Sequence, residues 1–198
     1  MSEWSTEERL VEEAVEAIGD GRPVVLPTDT VYGLCTTPLA PESLTRLKGR
    51  GAEQPIALLA SEVDILLEFV PELPEAIVRS LLPGRLTLIF PNPERRFPLL
   101  SPLDTIGVRV PELRGAARRI VTRAGAVAAT SANMHGGPDP RRLGEVPEEI
   151  REQAVHIDGG ELPGTPSTVV DLTGPRPSIL REGAVPATEV LERLEQQG

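Results

Sequence analysis

The chain has 198 residues, 39% hydrophobic and 25% charged, a balance that fits a soluble globular protein of one domain or at most two small ones and excludes a disordered chain. One cysteine excludes an internal disulfide framework, and one cysteine with two histidines excludes the usual zinc clusters. Thirty acids against twenty bases give a net charge of −10, which argues against stable, sequence-independent grip on nucleic-acid backbone.

In chain order, residues 6–18 are predicted to be a helix. Ser5 and Glu8 have capping-box spacing, and Leu10, Val11, Ala14, Val15 and Ile18 recur on one face. The first twenty residues carry seven acids and one arginine, which is not the basic, apolar start of a signal peptide. The longest nearly uncharged stretch, 23–41, holds Asp29 and four prolines and cannot be a spanning helix. The chain is therefore expected to be cytoplasmic and away from membranes.

Residues 24–26 read as a short buried strand. The segment Pro27-Thr28-Asp29-Thr30-Val31-Tyr32-Gly33-Leu34 follows it as a strand-end loop, where open α/β sheets bind ligands. It reads either as a turn stabilised by Thr and Asp or as a site whose hydroxyls bond a small polar ligand. Residues 41–48 read as a helix with Lys48 at its end. Of the twenty basic residues nineteen are arginine, and Lys48 is the one lysine. Lys48 and Arg50, set among glycines, either complement the helix dipole or reach one anion together.

A strand at 56–59 is followed by amphipathic helices at 61–70 and 74–82, then strands at 86–90 and 106–110. Alternation puts Thr105, Gly107 and Arg109 on one face of the last strand, and an inward Arg109 needs an anion partner, a structural or a substrate carboxylate. Residues 113–124 form a helix with Arg114, Arg118, Arg119 and Arg123 as a basic stripe, by default a solvated face, with an RNA-facing patch the minority reading. A strand at 126–129 leads into Ser131-Ala132-Asn133, either an Asx/Ser turn or a phosphate cradle. A helix near 148–153, strands at 155–157, 169–172 and 179–180, and a closing helix at 187–195 complete the pattern. Ser167-Thr168 and Arg181-Glu182-Gly183 stand beside the last two strands as weaker candidate segments. Cys35 reads as a small buried side chain. Interleaved helices and strands argue α/β, or intermixed α+β, around one sheet, with residues 1–198 forming a single domain.

Neither common glycine-rich nucleotide loop is present, nor the nucleophile elbow of the hydrolases. Seven collinear segments instead resemble the YrdC-like family: PTDTVYGL at 27–34, Lys48 and Arg50 with Pro55 following, PGRLTLIF at 83–90, GVRVP at 107–111, SAN at 131–133, STVVDLT at 167–173 and ILREG at 179–183. Characterised members make threonylcarbamoyl-AMP for tRNA modification. The resemblance implies a twisted mixed sheet flanked by helices, open on one side, with a basic cavity. It also implies the catalytic domain alone, without the added C-terminal domain of longer relatives. The chain departs from the family pattern at Gly51, Gln54, Leu59, His135 and Asp139.

The implied reaction joins L-threonine, bicarbonate and ATP and releases pyrophosphate, with Mg²⁺ arriving on the ATP phosphates and no protein metal site. Lys48 and Arg50 would be the catalytic cations. With Thr105, Ser131, Asn133 and Arg181 they would bind ATP, and Thr28, Thr30, Arg109 and Thr168 would bind threonine. Lys48→Ala is expected to abolish turnover and leave the fold intact. The product would pass to a downstream threonylcarbamoyl transferase, with tRNA contacted weakly or indirectly. The alternatives are a carbamoyl-adenylate or carbamoyl-transfer enzyme on the same scaffold and a non-catalytic RNA-binding module; five aromatic residues and the acidic balance count against the latter.

Overall fold

A computed structural model describes residues 5–49, 55–101 and 103–196. Nine strands form one mixed sheet in the order β7-β1-β2-β6-β3-β5-β4-β8-β9. In chain order the strands are β1 (Val24–Pro27), β2 (Tyr32–Thr36), β3 (Ala57–Ala60), β4 (Leu86–Pro91), β5 (Thr105–Arg109), β6 (Ala126–Ser131), β7 (Val155–His156), β8 (Thr168–Asp171) and β9 (Ser178–Arg181). The helices are α1 (Thr6–Gly19), α2 (Glu42–Lys48), α3 (Val63–Phe69), α4 (Glu75–Leu81), α5 (Gly115–Ala124), α6 (Glu148–Arg151) and α7 (Ala187–Glu195).

The expected helices and strands are present with shifts of a residue or two at their ends. One strand was not expected. β2 pairs antiparallel with β1 in a hairpin, with Pro27 opposite Tyr32, so the segment read as a loop is a four-residue tip followed by a strand. Every residue of β2 is buried. A strand covered on both faces loses the apolar–polar alternation by which strands are recognised.

Alternation along the strands sorts the core into two clusters. On one face Val25, Leu34, Leu58, Leu88, Val108, Ala128 and Val170 meet Leu44 of α2, Leu66 of α3, Val78 of α4, Ile150 of α6 and Val190 of α7. On the other, Val24, Leu26, Cys35, Leu59 and Val127 meet Val11, Ala14 and Ile18 of α1 and Ala117, Ile120 and Val121 of α5. This second cluster takes no residue from β4, β5 or β8. One face of the sheet is thus covered along its length and the other only in part.

α1 begins as its spacing predicts: Glu8 N–H donates to Ser5 Oγ at 3.2 Å and Ser5 N–H donates to Glu8 Oε2 at 2.8 Å. The backbone N–H of Ser5 is the main cause holding the Glu8 carboxyl below its ordinary range. Three arginines of the α5 stripe are paired with acids: Arg118 with Glu62 at 2.9 Å, Arg123 with Glu12 at 2.7 Å, and Arg119 with Glu7. The stripe is therefore a neutralised helix face, as the default reading has it, and exposed pairs of this kind add little stability.

Cys35, between β1 and β6, is 1% exposed. Burial pushes its thiol up to about 12, against the opposing charge of Arg109. Only roughly one molecule in ten thousand would carry the reactive thiolate at pH 8. Native protein at pH 8 is expected to leave Cys35 unmodified by a thiol reagent, while the chain unfolded in guanidinium reacts fully. Rapid labelling of native protein would show that the α1 side of the sheet opens.

Candidate functional site

Where α1 and α5 leave the sheet uncovered, the strands form the floor of a cavity of about 400 Å³, within the usual range for small-molecule sites. Across it runs a row of small residues in register, Ala129 of β6 opposite Ala57 of β3 and Ala57 opposite Gly107 of β5, bounded by Ile89 of β4 opposite Gly107. A Cβ added at Gly107 would lie 3.9 Å from Ala57 Cα and 4.0 Å from Thr87 Cγ2, an ordinary contact, so a side chain there would take cavity space without a clash. Around this row the lining includes Thr28, Thr87, Thr105, Arg109, Ser131, Asp139, Ser167 and Arg181.

The hairpin tip is the threonine-stabilised turn of the first reading, and it borders the cavity. Thr28 Oγ1 donates to Val31 O at 2.7 Å and accepts from the N–H of Thr30 and Val31 at 3.2 and 3.3 Å, which makes the turn. The same Thr28 lines the cavity. Thr30 is buried. Tyr32 sends its hydroxyl away to the 158–160 segment, donating to Gly160 O at 2.9 Å and accepting from Gly159 N–H at 2.9 Å. Burial is the main cause raising that phenol above its ordinary value.

Arg109 sits on the cavity face of β5, as alternation requires. Its anion partner is structural: Nη2 donates to Asp29 Oδ1 at 2.5 Å and to Thr30 Oγ1 at 2.7 Å. Burial pushes the Arg109 guanidinium down from its ordinary value; Asp29 opposes this, and the neighbouring cation Arg181 adds to it. Arg181 itself is exposed, and its guanidinium donates to Ser167 O at 2.9 Å.

The Ser131–Asn133 segment is held from below. α2 ends in Gly49, whose φ of 59° is left-handed and suits glycine, and this delivers Lys48 into the interior at 3% exposure. Lys48 Nζ donates to Ser131 O at 2.5 Å and to Asn133 Oδ1 at 2.6 Å. Ser131 Oγ donates to the same Oδ1 at 2.7 Å, and Asn133 Nδ2 donates to Gly137 O at 2.6 Å. Ser131 lines the cavity; Lys48 lies beneath it.

Thr28, Thr105, Arg109, Ser131 and Arg181 therefore share one cavity, with Lys48 and Asn133 directly behind Ser131. Thr168 does not join them. It is fully buried on the opposite face of β8, where its hydroxyl donates to Val185 O at 2.6 Å and accepts from Gly183 N–H at 2.9 Å. Its neighbours Ser167 and Val169 face the cavity instead. Arg50, Gly51 and Gln54 lie outside the described residues. Asp29 and Thr87 have no separate role from sequence, and Ser167 stands there only in a weaker candidate segment; Thr87 and Ser167 bond each other at 2.8 Å on the floor. Strand alternation, which found Arg109, also places Thr87 on this face.

The burial of Lys48 revises one expectation, that its removal leaves the fold intact. Lys48→Met keeps an apolar stem but takes the Nζ donor from Ser131 O and leaves Asn133 Oδ1 with Ser131 Oγ alone, at a cost of about 1–3 kcal/mol. The melting temperature is expected to fall by roughly 2–4 °C per kcal/mol, and amide exchange at 131–137 to speed up. A melt within about 1 °C of wild type would show that Nζ does not clamp this segment.

Comparison with known proteins places these features. The Sua5/YciO/YrdC family model, described as telomere recombination, matches residues 16–183. The threonylcarbamoyl-AMP synthase of Pyrococcus abyssi is 36% identical over 193 residues, covering 93% of this chain and 57% of that protein. A Mycobacterium tuberculosis relative is 32% identical over 195 residues, covering 94% of this chain and 89% of its own. The crystal structure of Pyrococcus abyssi Sua5 complexed with L-threonine superposes with a TM-score of 0.85 at 32% identity, over 97% of this chain and 59% of that one. The chain thus spans somewhat more than half the length of the Pyrococcus protein.

Proposed function

We propose a function on the premise that this chain belongs to the Sua5/YciO/YrdC family: it makes L-threonylcarbamoyl-AMP from L-threonine, bicarbonate and ATP, releasing pyrophosphate. The observation that carries the proposal is the single cavity in which Arg109, Arg181, Thr28, Thr105 and Ser131 converge on a floor of small residues. The Pyrococcus relative that superposes on this chain was crystallised with L-threonine, and we extend that ligand to the cavity here.

In the proposed reaction the threonine amine captures carbon dioxide, derived from bicarbonate, as a carbamate. The carbamate oxygen attacks the α-phosphorus of ATP and pyrophosphate leaves. No protein nucleophile is needed. The difficulty is electrostatic, since two anions must be held in contact, and repulsion between like charges is strong wherever water is excluded. Positioned cations offset it and stabilise the charge that develops at phosphorus.

Arg109 would take the threonine carboxylate, with Thr28 and Thr30 beside it. Arg181 and Thr105 would meet the phosphates and nucleotide. Lys48, through the Ser131–Asn133 segment it holds, and Arg50 would supply the catalytic positive charge. Mg²⁺ enters with its substrate as MgATP. Where the cavity needs a further amino-acid contact, Ser167 takes the place first given to Thr168. No described helix is long and apolar enough to cross a membrane, and we assign the enzyme to the cytoplasm beside ATP and tRNA. A net charge of −10 suits an enzyme that hands its adenylate to a downstream transferase and touches tRNA little.

The test is pyrophosphate release with each substrate omitted in turn and mass detection of the adenylate. Release is expected only with threonine, bicarbonate and ATP together, and Arg181→Ala is expected to raise the KM for ATP by roughly tenfold or more. Threonine-independent release would instead indicate carbamoyl transfer. Absence of turnover, with salt-sensitive retention of RNA, would indicate a binding module.

A further inference from the structure

We infer that Asp29 is a positioning residue for substrate binding: it sets the plane of the Arg109 guanidinium so that the unused Nη1 faces the cavity. The inference rests on the proposed synthase reading and deepens it.

Asp29 lies between two threonines at the tip of a hairpin, where an aspartate is ordinarily a solvated turn residue. Here its side chain is only 5% exposed and that of Arg109 12%. Both hydrogens of Arg109 Nη2 are used internally, one on Asp29 Oδ1 at 2.5 Å and one on Thr30 Oγ1 at 2.7 Å. Neither acceptor is loose. Asp29 Oδ2 accepts from Glu112 N–H at 3.2 Å, Thr30 Oγ1 is within 3.0 Å of Thr28 Oγ1, and Thr30 O accepts from Gly164 N–H at 2.9 Å. The guanidinium is planar and rigid, so two fixed acceptors on one nitrogen fix the orientation of the whole group.

A carboxylate and an arginine that join two elements frequently pair through two parallel bonds, fork to fork. Asp29 does not do this. It takes one hydrogen of Nη2 and gives its second oxygen to the backbone of Glu112. Among the described residues no acceptor takes Nη1, and Nε is buried without a partner. Nε is closed off from solvent, so the donor group that this cavity-wall side chain keeps for a ligand is Nη1. A buried cation held by two bonds on one nitrogen, with Nη1 unspent, is preorganised for a second anion of carboxylate size. That is the chemistry of an amino-acid carboxylate.

The experiment measures threonine and ATP affinities by calorimetry, and kcat and KM by pyrophosphate release, for wild type, Asp29→Ala, Asp29→Asn, Arg109→Lys and the double variant Asp29→Ala/Arg109→Lys. Asp29→Ala is expected to weaken threonine roughly tenfold or more, with the KM for ATP and kcat moving by less than about threefold. Asp29→Asn can still accept from one of the two donors and is expected to fall between wild type and Asp29→Ala. In the Arg109→Lys background Asp29→Ala is expected to add little, because the two act as a unit. Thermal melts accompany each variant; where Asp29→Ala melts below the assay temperature, Asp29→Asn carries the same comparison with a smaller shift.

Equal losses for threonine and ATP, or full additivity with Arg109→Lys, would reduce Asp29 to a structural residue and overturn the inference. So would Asp29→Ala binding threonine as wild type does. Wild type that fails to bind threonine at all would overturn the synthase reading itself, and this inference with it.

Discussion

A nine-stranded sheet has two faces to cover, and this chain leaves part of one uncovered. Five helices close the first face, while α1 and α5 close the second over β7, β1, β2, β6 and β3 and leave β5, β4 and β8 without them. Bare strand surface is tolerated if it is small and polar, since exposed apolar area costs free energy in proportion to its extent. The floor meets this condition in part: Ala57, Gly107 and Ala129 are small and Thr87, Thr105, Ser131, Ser167 and Arg109 are polar, while Leu59, Ile89 and Val169 add apolar surface that a ligand can cover. The same substitutions that make bare sheet tolerable make it concave and rich in hydrogen-bonding groups. The cavity follows from how the helices are distributed along the sheet.

The polar groups under and around that floor are nearly all engaged. Lys48, Ser131 and Asn133 satisfy one another, Thr28 and Thr30 close the hairpin tip, Thr168 fastens the 183–185 segment, and Tyr32 fastens 158–160. A buried polar group without a partner costs more than a made bond returns, so a polar site survives inside a fold only when its supports are mutually satisfied. The supporting bonds decide which donors are left for a ligand. Arg109 loses both hydrogens of Nη2 to its supports and keeps Nη1; Thr168 loses its hydroxyl to its support and keeps nothing.

This division explains how far the sequence could be read. Periodicity and caps located the helices and most strands because those elements are amphipathic, and alternation placed Arg109 on the correct face and required an anion beside it. β2 was not legible, because Tyr32, Gly33, Leu34, Cys35 and Thr36 are all buried and carry no alternating signal. The resemblance implied a substrate contact for Thr168, but the strand pairs with β4 in the register that turns Ser167 and Val169 to the cavity and Thr168 away from it. The rarity of lysine singled out Lys48, yet composition holds no information on depth. Whether a cation lines a cavity or underlies it depends on where the helix ends, and that is set by Gly49 together with the strand it abuts. Arg50, paired with Lys48 by sequence, falls outside the described residues.

Charge was the first property to be weighed, and the fold changes its meaning. Fourteen of the thirty acids fall in 1–20, 145–152 and 189–198, while the described cavity lining holds one, Asp139, beside Arg109 and Arg181. The two arginines are not equivalent. Arg109 is balanced by Asp29 at 2.5 Å, so the pair is close to neutral and offers oriented N–H groups more than net charge. Arg181 has no carboxylate partner among the described residues and is held at the cavity wall by the carbonyl of Ser167, so it brings an unbalanced charge there. A single carboxylate needs direction and a triphosphate needs charge, and these two cations supply them separately. Under the proposed reaction this separation matters, because two anionic substrates in one cavity must be drawn to different places before they can meet. A uniformly basic cavity would bind the polyanion at every position and leave the amino acid no site of its own.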